Sequence, residues 1–268
     1  MITCDVLGPG PANSGLGNQL FCIATAIGLA EDNNVETSFP QLLMPPLDYY
    51  GRTIFHKLNK FSFAESEIYR ETPYTSTIYN NIPYKKNMRI HGYFQSYKYF
   101  QNHHNKILDS FQLPKNILSV VNKKYDYILQ DRENMVSLHI RRGDYINLIS
   151  SGHYASLDNE YYEKALDIIG KKNVVIFSDD IEWCKENIYF SDKNMFFIEK
   201  EMDIVDLYLM SRMKDNIIAN STFSWWAAYM NTFEDKVIVG PKKWFGPTRV
   251  KSNKLETKDL FPPDWIRI

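Results

Sequence analysis

The sequence has 268 residues, 44% of them hydrophobic and 24% charged, which excludes a disordered or fibrous protein and allows one large core or two compact units. The 31 Lys and Arg against 32 Asp and Glu give a net charge of -1, which excludes general electrostatic binding to nucleic acid or to an anionic membrane. Any anion must therefore be bound by a local site.

Three cysteines, Cys4, Cys22 and Cys184, lie far apart without a CxxC pair, so we expect neither a disulfide framework nor a zinc cluster, and no metal site. The longest apolar run, Leu20 to Ala30, is shorter than the ~20 residues of a membrane-spanning helix. No secretion signal is recognisable. We expect a cytoplasmic protein without a transmembrane segment, with peripheral attachment to a membrane as a second expectation.

The first half of the chain begins as a strand, a loop and a helix, which is typical of a Rossmann-type half. No sustained period is present between Pro40 and Asn87, so that stretch is predicted to be irregular. The predicted elements are a strand at Ile2–Leu7, a loop at Gly8–Gly17, a helix through Leu20–Ala30, a strand at Arg89–Phe94 and helical segments over Lys98–Leu129 broken at Pro114.

The second half alternates apolar strands with helices, which predicts a doubly wound and mainly parallel sheet. The Pro262-Pro263 pair predicts an irregular tail. The predicted strands are Met135–Ile140, Val174–Ser178, Met195–Ile198, Asn216–Ala219 and Lys236–Val239, and the predicted helices are Glu160–Ile169, Ile181–Asn187, Asp203–Met213 and Thr222–Asn231.

The segment Ser137 to Tyr145, SLHIRRGDY, begins on a predicted strand and ends in a Gly-Asp turn. Strand alternation places His139 and Arg141 on one face, at the carboxyl end where ligands of parallel sheets bind. Arg141 is predicted to bind a phosphate, and Arg142 to point away, into an ion pair with a carboxylate. The alternative is that both arginines are surface charges.

A second cluster, Ala219 to Trp226 or ANSTFSWW, joins a predicted strand to a helix. Hydroxyls and free amides at a helix N-terminus favour an anion, but Ser221 or Thr222 could equally be a simple N-cap. The triplet at Asn220 also matches a glycosylation sequon, which we interpret as accidental.

Two further motifs follow predicted strands. The segment Gly15 to Gln19, GLGNQ, places glycines before the first helix, where a ligand can approach the backbone. In Phe177 to Asp180, FSDD, Asp179 follows a strand and could accept hydrogen bonds from a base or ribose. The alternative for Asp179 is a cap for the next helix.

Five blocks, GLGNQLF, HGYFQSYKYF, HIRRGDY, FSDD and NSTFSWWAAY, follow one another in this order. In this combination the chain resembles the glycosyltransferase family 11 alpha-1,2-fucosyltransferases of bacterial type. The resemblance extends from Gly15 to about Gly246. The chain departs from that pattern by extra residues, roughly Pro9–Ser14, before GLGN.

The resemblance implies an α/β, GT-B-like fold with two Rossmann-like lobes facing a donor/acceptor cleft. We accordingly divide the chain into an N-terminal acceptor lobe, 1–130, and a C-terminal lobe, 131–268, that binds the donor. The implied reaction is inverting transfer of L-fucose from GDP-beta-L-fucose to the 2-hydroxyl of a terminal galactose in a glycan. No cofactor or metal is implied beyond this donor.

The resemblance also suggests roles for individual residues. Arg141 and Asp144 are the predicted catalytic residues, Arg141 on the leaving phosphate and Asp144 as the nearest carboxylate, for which a structural role is the alternative. The predicted donor-binding residues are Gly17, Asn18, His139, Arg141, Asp179, Ser221, Thr222 and Ser224.

Two other functions remain open at the level of sequence. One is a fucosyltransferase of another linkage, such as alpha-1,6 or protein O-fucosylation. The other is a catalytically inactive homologue that binds a nucleotide sugar or a glycan, against which the intact set of His139, Arg141 and NSTFS argues.

Overall fold

The structure is a computed structural model that describes residues 1–7, 15–72, 77–170, 173–250 and 257–268. The extra segment Pro9–Ser14 lies outside these residues. The chain divides into two compact units. Unit 1 comprises Met1–Ser119 and Leu255–Pro262, and unit 2 comprises Val120–Lys254 and Pro263–Ile268.

The described residues of unit 1 form a parallel three-stranded sheet with the order β1-β3-β2. The long helix α1 is almost entirely buried and packs against β1 and β3, so the core of the unit lies between this helix and the sheet. The elements are β1 (Ile2–Cys4), α1 (Leu16–Asp32), α2 (Asp48–Arg52), β2 (Glu67–Arg70), β3 (Met88–His91), α3 (His104–Ser110) and α4 (Lys115–Lys124), which crosses into unit 2.

The predictions for unit 1 are confirmed at β1, β3 and α1 and for the helices on either side of Pro114. Strand β2 lies inside the stretch predicted to be irregular. It is an edge strand whose side chains are mostly exposed, so it lacks the apolar alternation that marks a half-buried strand. The predicted loop at Gly17 is also wrong, because α1 already begins at Leu16.

Unit 2 contains a parallel sheet with the order β6-β5-β4-β7-β8-β9 among its described residues. Its central strand, β4, is buried along its whole length, as expected for a parallel sheet covered on both faces. The strands are β4 (Met135–Ile140), β5 (Asn173–Ser178), β6 (Asn194–Phe197), β7 (Asp215–Ile217), β8 (Ile238–Gly240) and β9 (Ile266–Arg267). The helices are α5 (Asp126–Leu129), α6 (Tyr145–Ser150), α7 (Asn159–Ile169), α8 (Ile181–Asn187), α9 (Asp203–Arg212), α10 (Thr222–Tyr229) and α11 (Pro247–Val250).

The strand order of unit 2 locates its ligand edge. Counted from β4 along the chain, the order is 3-2-1-4-5-6, which is that of the Rossmann fold. The order reverses between β4 and β7, and ligands of such sheets bind beyond the carboxyl ends at that point. The predicted doubly wound sheet is thus confirmed, whereas the predicted irregular tail contains β9, a two-residue strand too short to give a sequence pattern.

The structure divides the chain at Ser119, earlier than the sequence-based boundary at residue 130. The physical reason is that the intervening residues contact unit 2. Tyr125 Oη donates to Glu201 Oε1 at 2.6 Å, and Tyr208 Oη donates to Asn122 Oδ1 at 2.8 Å. Which unit binds donor and which binds acceptor stays a prediction.

Two further expectations concern covalent links and membranes. Cys4, Cys22 and Cys184 are all buried and free, so no disulfide joins them. Within the described ranges, no helix combines the length and the apolar character needed to cross a bilayer.

Candidate functional site

The candidate site lies in unit 2, where β4 and β7 end side by side. Arg141 follows the last residue of β4, and Asn220 and Ser221 follow β7. The two strand ends are joined by Tyr145, whose Oη donates to the backbone oxygen of Asn220 at 3.1 Å. HIRRGDY and NSTFSWW, far apart in sequence, therefore meet at the point where the strand order reverses.

Arg141 is held between two carboxylates. Its Nη2 lies 2.6 Å from Asp144 Oδ1, and its Nη1 lies 3.1 Å from Asp179 Oδ2. The guanidinium carbon lies 5.2 Å from the ring centroid of Tyr145, and the side chain is 30% exposed. Its Nε is buried without a hydrogen-bond partner among the described residues. The result is a fixed, partly accessible cation with donor capacity left over for an anion.

Arg142 points into a separate set of contacts. Its Nε lies 3.2 Å from Asp180 Oδ2, and its guanidinium carbon lies 3.4 Å from the ring centroid of Trp183. The predicted ion pair of Arg142 with a carboxylate is confirmed. The stacking on Trp183, which adds a cation–π attraction, was not predicted.

Asp179 anchors the loop that carries both arginines. Its Oδ1 accepts a hydrogen bond from the backbone N–H of Arg142 at 2.8 Å, and its Oδ2 pairs with Arg141. A Cβ at Gly143 would overlap Asp179 Oδ2, so this approach requires glycine. Asp180, not Asp179, occupies the N-cap position of α8, and its side chain makes no cap bond there. The helix-cap alternative for Asp179 is wrong, and its contact with guanosine stays a prediction.

His139 is a neutral imidazole in the interior of unit 2. It is 3% exposed, and burial, with a smaller effect of the Arg141 charge, lowers its pKa to about 3. The ring centroid lies 5.7 Å from that of Phe223, and Nδ1 has no hydrogen-bond partner in the described part of the chain. A buried nitrogen without a hydrogen bond destabilises the folded state unless a ligand or a water molecule forms a hydrogen bond with it.

The start of α10 combines capping with tight packing. Ser221 is the N-cap, and its Oγ accepts a hydrogen bond from Phe223 N at 3.4 Å. Ser224 is 1% exposed and donates to the backbone oxygen of Ser221. The capping interpretation of Ser221 is thus confirmed, while anion binding by Ser221, Thr222 and Ser224 stays a prediction.

Asn220 stabilises the turn between β7 and α10, which we call the corner. Its Nδ2 donates to the backbone oxygens of Ala155 and Trp244, at 2.9 and 3.0 Å, and the residue is 2% exposed. Because the amide is buried and hydrogen-bonded, the sequon at Asn220 is not accessible to glycosylation, as expected from the sequence.

Gly17 and Asn18 lie in unit 1, in the first turn of α1. Asn18 Oδ1 accepts a hydrogen bond from Gln95 Nε2 at 2.8 Å, and Gly17 is buried. GLGNQ is thereby linked to the HGYFQSYKYF block within the same unit. The predicted role of Gly17 and Asn18 in donor binding is not tested by these contacts.

A cavity of about 90 Å³ adjoins the two arginines in unit 2. Its polar lining includes Arg141, Arg142 and Asn220, and Trp183 and Ile188 form part of its apolar wall. Sequence reasoning did not single out Trp183, although its position three residues after Asp180 in the FSDD block is a usable signal. In the described ranges, no group of three or more His, Cys, Asp or Glu side chains lies close enough together to bind a metal ion.

A family model described as Glycosyl transferase family 11 matches residues 51–268. The chain is 42% identical over 166 residues to the O-antigen biosynthesis glycosyltransferase WbnK of Escherichia coli, which covers 58% of this chain and 55% of that protein. It is 33% identical over 225 residues to an alpha-1,2-colitosyltransferase of Escherichia coli, which covers 80% of this chain and 74% of that protein. The matched region thus spans about half of WbnK.

Among solved structures, the chain is similar to the fucosyltransferase NodZ from Bradyrhizobium. The TM-score is 0.53 at 13% sequence identity, and the match covers 85% of this chain and 90% of that one. At this identity the likeness concerns the fold alone. Together with the two parallel sheets, it confirms the expected α/β, GT-B-like fold.

Proposed function

The chain belongs to glycosyl transferase family 11, and from this premise we propose that it transfers L-fucose from GDP-beta-L-fucose, with inversion, to the 2-hydroxyl of a terminal galactose in a glycan. The alpha-1,2 linkage is supported by the motif blocks and by the name of the colitosyltransferase relative. We propose that the reaction takes place in the cytoplasm on a glycan acceptor, and that it needs no cofactor or metal beyond the donor substrate.

The observation that carries this proposal is the placement of Arg141 at the point where the strand order of unit 2 reverses. GDP leaves the sugar with growing negative charge on its β-phosphate. A guanidinium already held in place stabilises that charge more in the transition state than in the ground state. Asp144 and Asp179 hold Arg141 before the donor arrives, so little reorganisation is needed.

The other residues that we propose to contact the donor include residues of unit 2 that lie near Arg141. His139 carries a buried ring nitrogen without a hydrogen-bond partner among the described residues, which supports its proposed contact with guanosine beside Asp179. The N-terminal amides of α10, with Ser221, Thr222 and Ser224, are proposed to bind the phosphates. We propose that Gly17 and Asn18 of unit 1 also contact the donor, and that Asp144 acts on the reaction by positioning Arg141.

A second candidate donor is GDP-colitose, which the colitosyltransferase relative favours. Colitose is L-fucose without its 3-hydroxyl. A site with a polar group aimed at that hydroxyl would reject colitose strongly, whereas an apolar site there would discriminate weakly. Rates with the two donors therefore decide which sugar the site accepts.

The test is GDP release from GDP-fucose in EDTA, with and without galactose-terminated acceptors, for the wild type and Arg141→Ala. We expect release to rise with an acceptor and to fall on the order of 10²–10³-fold in the variant, as for loss of a central electrostatic donor.

The matched control is Arg52→Ala, which removes an exposed arginine paired with Asp48 on α2 and should leave the rate unchanged. Retention of more than about a tenth of the wild-type rate in Arg141→Ala would remove Arg141 from this role. Binding of GDP-fucose without turnover on any acceptor would instead favour an inactive, glycan- or nucleotide-binding homologue.

A further inference from the structure

The second arginine of the loop after β4, Arg142, is held by two side chains from the start of α8. Asp180 occupies the N-cap position of α8, and Trp183 lies in its first turn. Arg142 Nε lies 3.2 Å from Asp180 Oδ2, and the guanidinium carbon lies 3.4 Å from the ring centroid of Trp183. The donor contacts proposed above do not include Trp183.

Trp183 fixes Arg142 more firmly than Asp180 does. The ion pair with Asp180 is a single contact between side chains that are 25% and 37% exposed, and such ion pairs are weak because water screens them. The guanidinium lies close over the indole, whereas the other cation–π contacts among the described residues have distances of 5.1 Å or more. At this distance the ring quadrupole attracts the cation, and the planar guanidinium stacks on the ring as a compact ammonium cannot.

The indole is itself held in place by the core of unit 2. Trp183 packs against the cluster of buried residues that includes Leu138, Cys184 and Ile188. It also forms part of the wall of the cavity of about 90 Å³ that adjoins both arginines. Because close-packed side chains move little, the indole is a rigid support for Arg142.

The support of Arg142 extends to Arg141 through one carboxylate. The backbone N–H of Arg142 donates to Asp179 Oδ1 at 2.8 Å, and Asp179 Oδ2 lies 3.1 Å from Arg141 Nη1. The Asp179 carboxylate thus connects the backbone of Arg142 with the guanidinium of Arg141. If Arg142 leaves the indole, its peptide group is free to turn, and the carboxylate that orients Arg141 loses one of its two partners.

We propose that Trp183 is a positioning residue of the phosphate site. Its indole holds Arg142 and thereby keeps Arg141 in the orientation that binds the leaving β-phosphate. This inference rests on the proposed function, and every contact in it lies within unit 2.

The test compares Trp183→Leu and Trp183→Phe in the full chain, using GDP-fucose and the acceptor on which the wild type turns over. Both variants lose part of the indole volume, but only phenylalanine keeps an aromatic face. We expect kcat of Trp183→Leu to fall on the order of 10- to 100-fold, as for a misplaced catalytic group. The KM for GDP-fucose should change less than about threefold, because Arg141 acts mainly on the transition state.

Trp183→Phe should restore kcat to within about threefold of the wild type. An equal loss of kcat in the leucine and phenylalanine variants would overturn the inference, because the aromatic face would then not matter. The matched control is Phe233→Leu, which removes a ring 5.6 Å from the guanidinium of Arg132 in the same unit. Its kcat and KM should match those of the wild type.

A double-mutant cycle separates positioning of Arg141 from a general structural role. In the Arg141→Ala background, Trp183→Leu has no guanidinium at position 141 left to misplace, so it should lower kcat by less than about twofold further. A further fall of about tenfold in that background would show that Trp183 acts independently of Arg141, which contradicts the inference.

Arg142→Lys keeps the inference testable if Trp183→Leu does not fold. Lysine retains the charge but not the planar group that stacks on Trp183, so kcat should fall in the same direction, and a wild-type kcat contradicts the inference. If these variants fail their expected results while the wild type turns over, the transferase function stands without this role for Trp183. A wild type that releases no GDP with any acceptor, from either GDP-fucose or GDP-colitose, removes the proposed function and this inference together.

Discussion

At the scale of single residues, the site of unit 2 is a network of two arginines and three carboxylates. Strand alternation and the Gly-Asp turn were sufficient to place Arg141 at the ligand edge and Arg142 in an ion pair. The partners of Asp179 could not be predicted, because they depend on a close contact between the Asp179 carboxylate and the backbone at Gly143, where a side chain would not fit. The two residues are distant in sequence, so no sequence pattern indicates this contact.

A buried carboxyl on α9 makes the stability of unit 2 depend on pH. Burial, followed by the charges of Glu201 and Asp203, raises the pKa of Asp206 to about 7, and its Oδ1 has no hydrogen-bond partner in the described ranges. The unfolded chain has a carboxyl pKa of about 3.9. The folded state therefore binds more protons between these values, and stability falls as pH rises from about 4 to about 7.

Asp206→Asn should remove this penalty. We expect the free energy of unfolding to rise by roughly 1–3 kcal/mol at pH 8 and to change little at pH 4, measured by urea denaturation at both pH values. Asp167→Asn, on the exposed face of α7, is the control and should have no such pH-dependent effect. An equal gain at both pH values would show that the charge of Asp206 is not the cause.

At the scale of elements, long periodic segments were predicted well and short or polar ones were not. The buried strand β4 and helices α7 to α10 follow their apolar patterns. The edge strand β2 is exposed and polar, and the helix α6 follows the arginine loop with only Tyr145 buried. Such elements are stabilised by neighbours distant in sequence, so their own residues carry little signal.

The corner between β7 and α10 depends on one amide. Asn220→Ala removes the two side-chain hydrogen bonds to the backbone oxygens of Ala155 and Trp244. We expect unit 2 to lose roughly 1–3 kcal/mol of stability, the cost of losing two buried hydrogen bonds. Thermal unfolding with hydrogen exchange of β7 and β8 measures this loss.

The matched control is Asn187→Ala on the surface of α8, where Nδ2 donates to a single backbone oxygen, that of Trp183. We expect a change within about 0.5 kcal/mol, as for most surface substitutions. If the two variants lose the same stability, the corner does not depend on the buried amide.

At the scale of the whole molecule, the two-unit α/β organisation was predictable and the path of the chain was not. The alternation of strands and helices in the second half predicts the doubly wound sheet. The sequence contains no pattern that assigns residues 257–262 to unit 1 and the following residues to unit 2. These assignments arise from contacts over large sequence separations, such as Ser96 Oγ to the backbone oxygen of Asp259 at 2.7 Å.

Asp259 is the main polar anchor of that returning segment. Its carboxylate accepts from Lys98 Nζ at 2.6 Å and from the backbone N–H of Tyr79 at 2.9 Å. Asp259→Ala should destabilise unit 1 by roughly 1–3 kcal/mol, because both donors lose their acceptor. Hydrogen exchange should show faster opening of β1 and β3 and unchanged protection of β4 and β5.

Asp264→Ala, five residues further on and exposed in unit 2, is the control for a change of charge near the same segment. It should leave the exchange of β1 and β3 at the wild-type rate. Uniform acceleration across both units in Asp259→Ala would contradict a local anchoring role.

The path of residues 257–267 has a consequence for biosynthesis. Asp259 completes unit 1, and β9 completes the sheet of unit 2, so both units receive contacts from residues that are synthesised after residues 1–256. Domains usually fold during translation as their chains emerge. Here, each unit must wait for the contacts of residues 257–267, and we expect chains that stop before residue 257 to be more sensitive to protease than chains that include these residues.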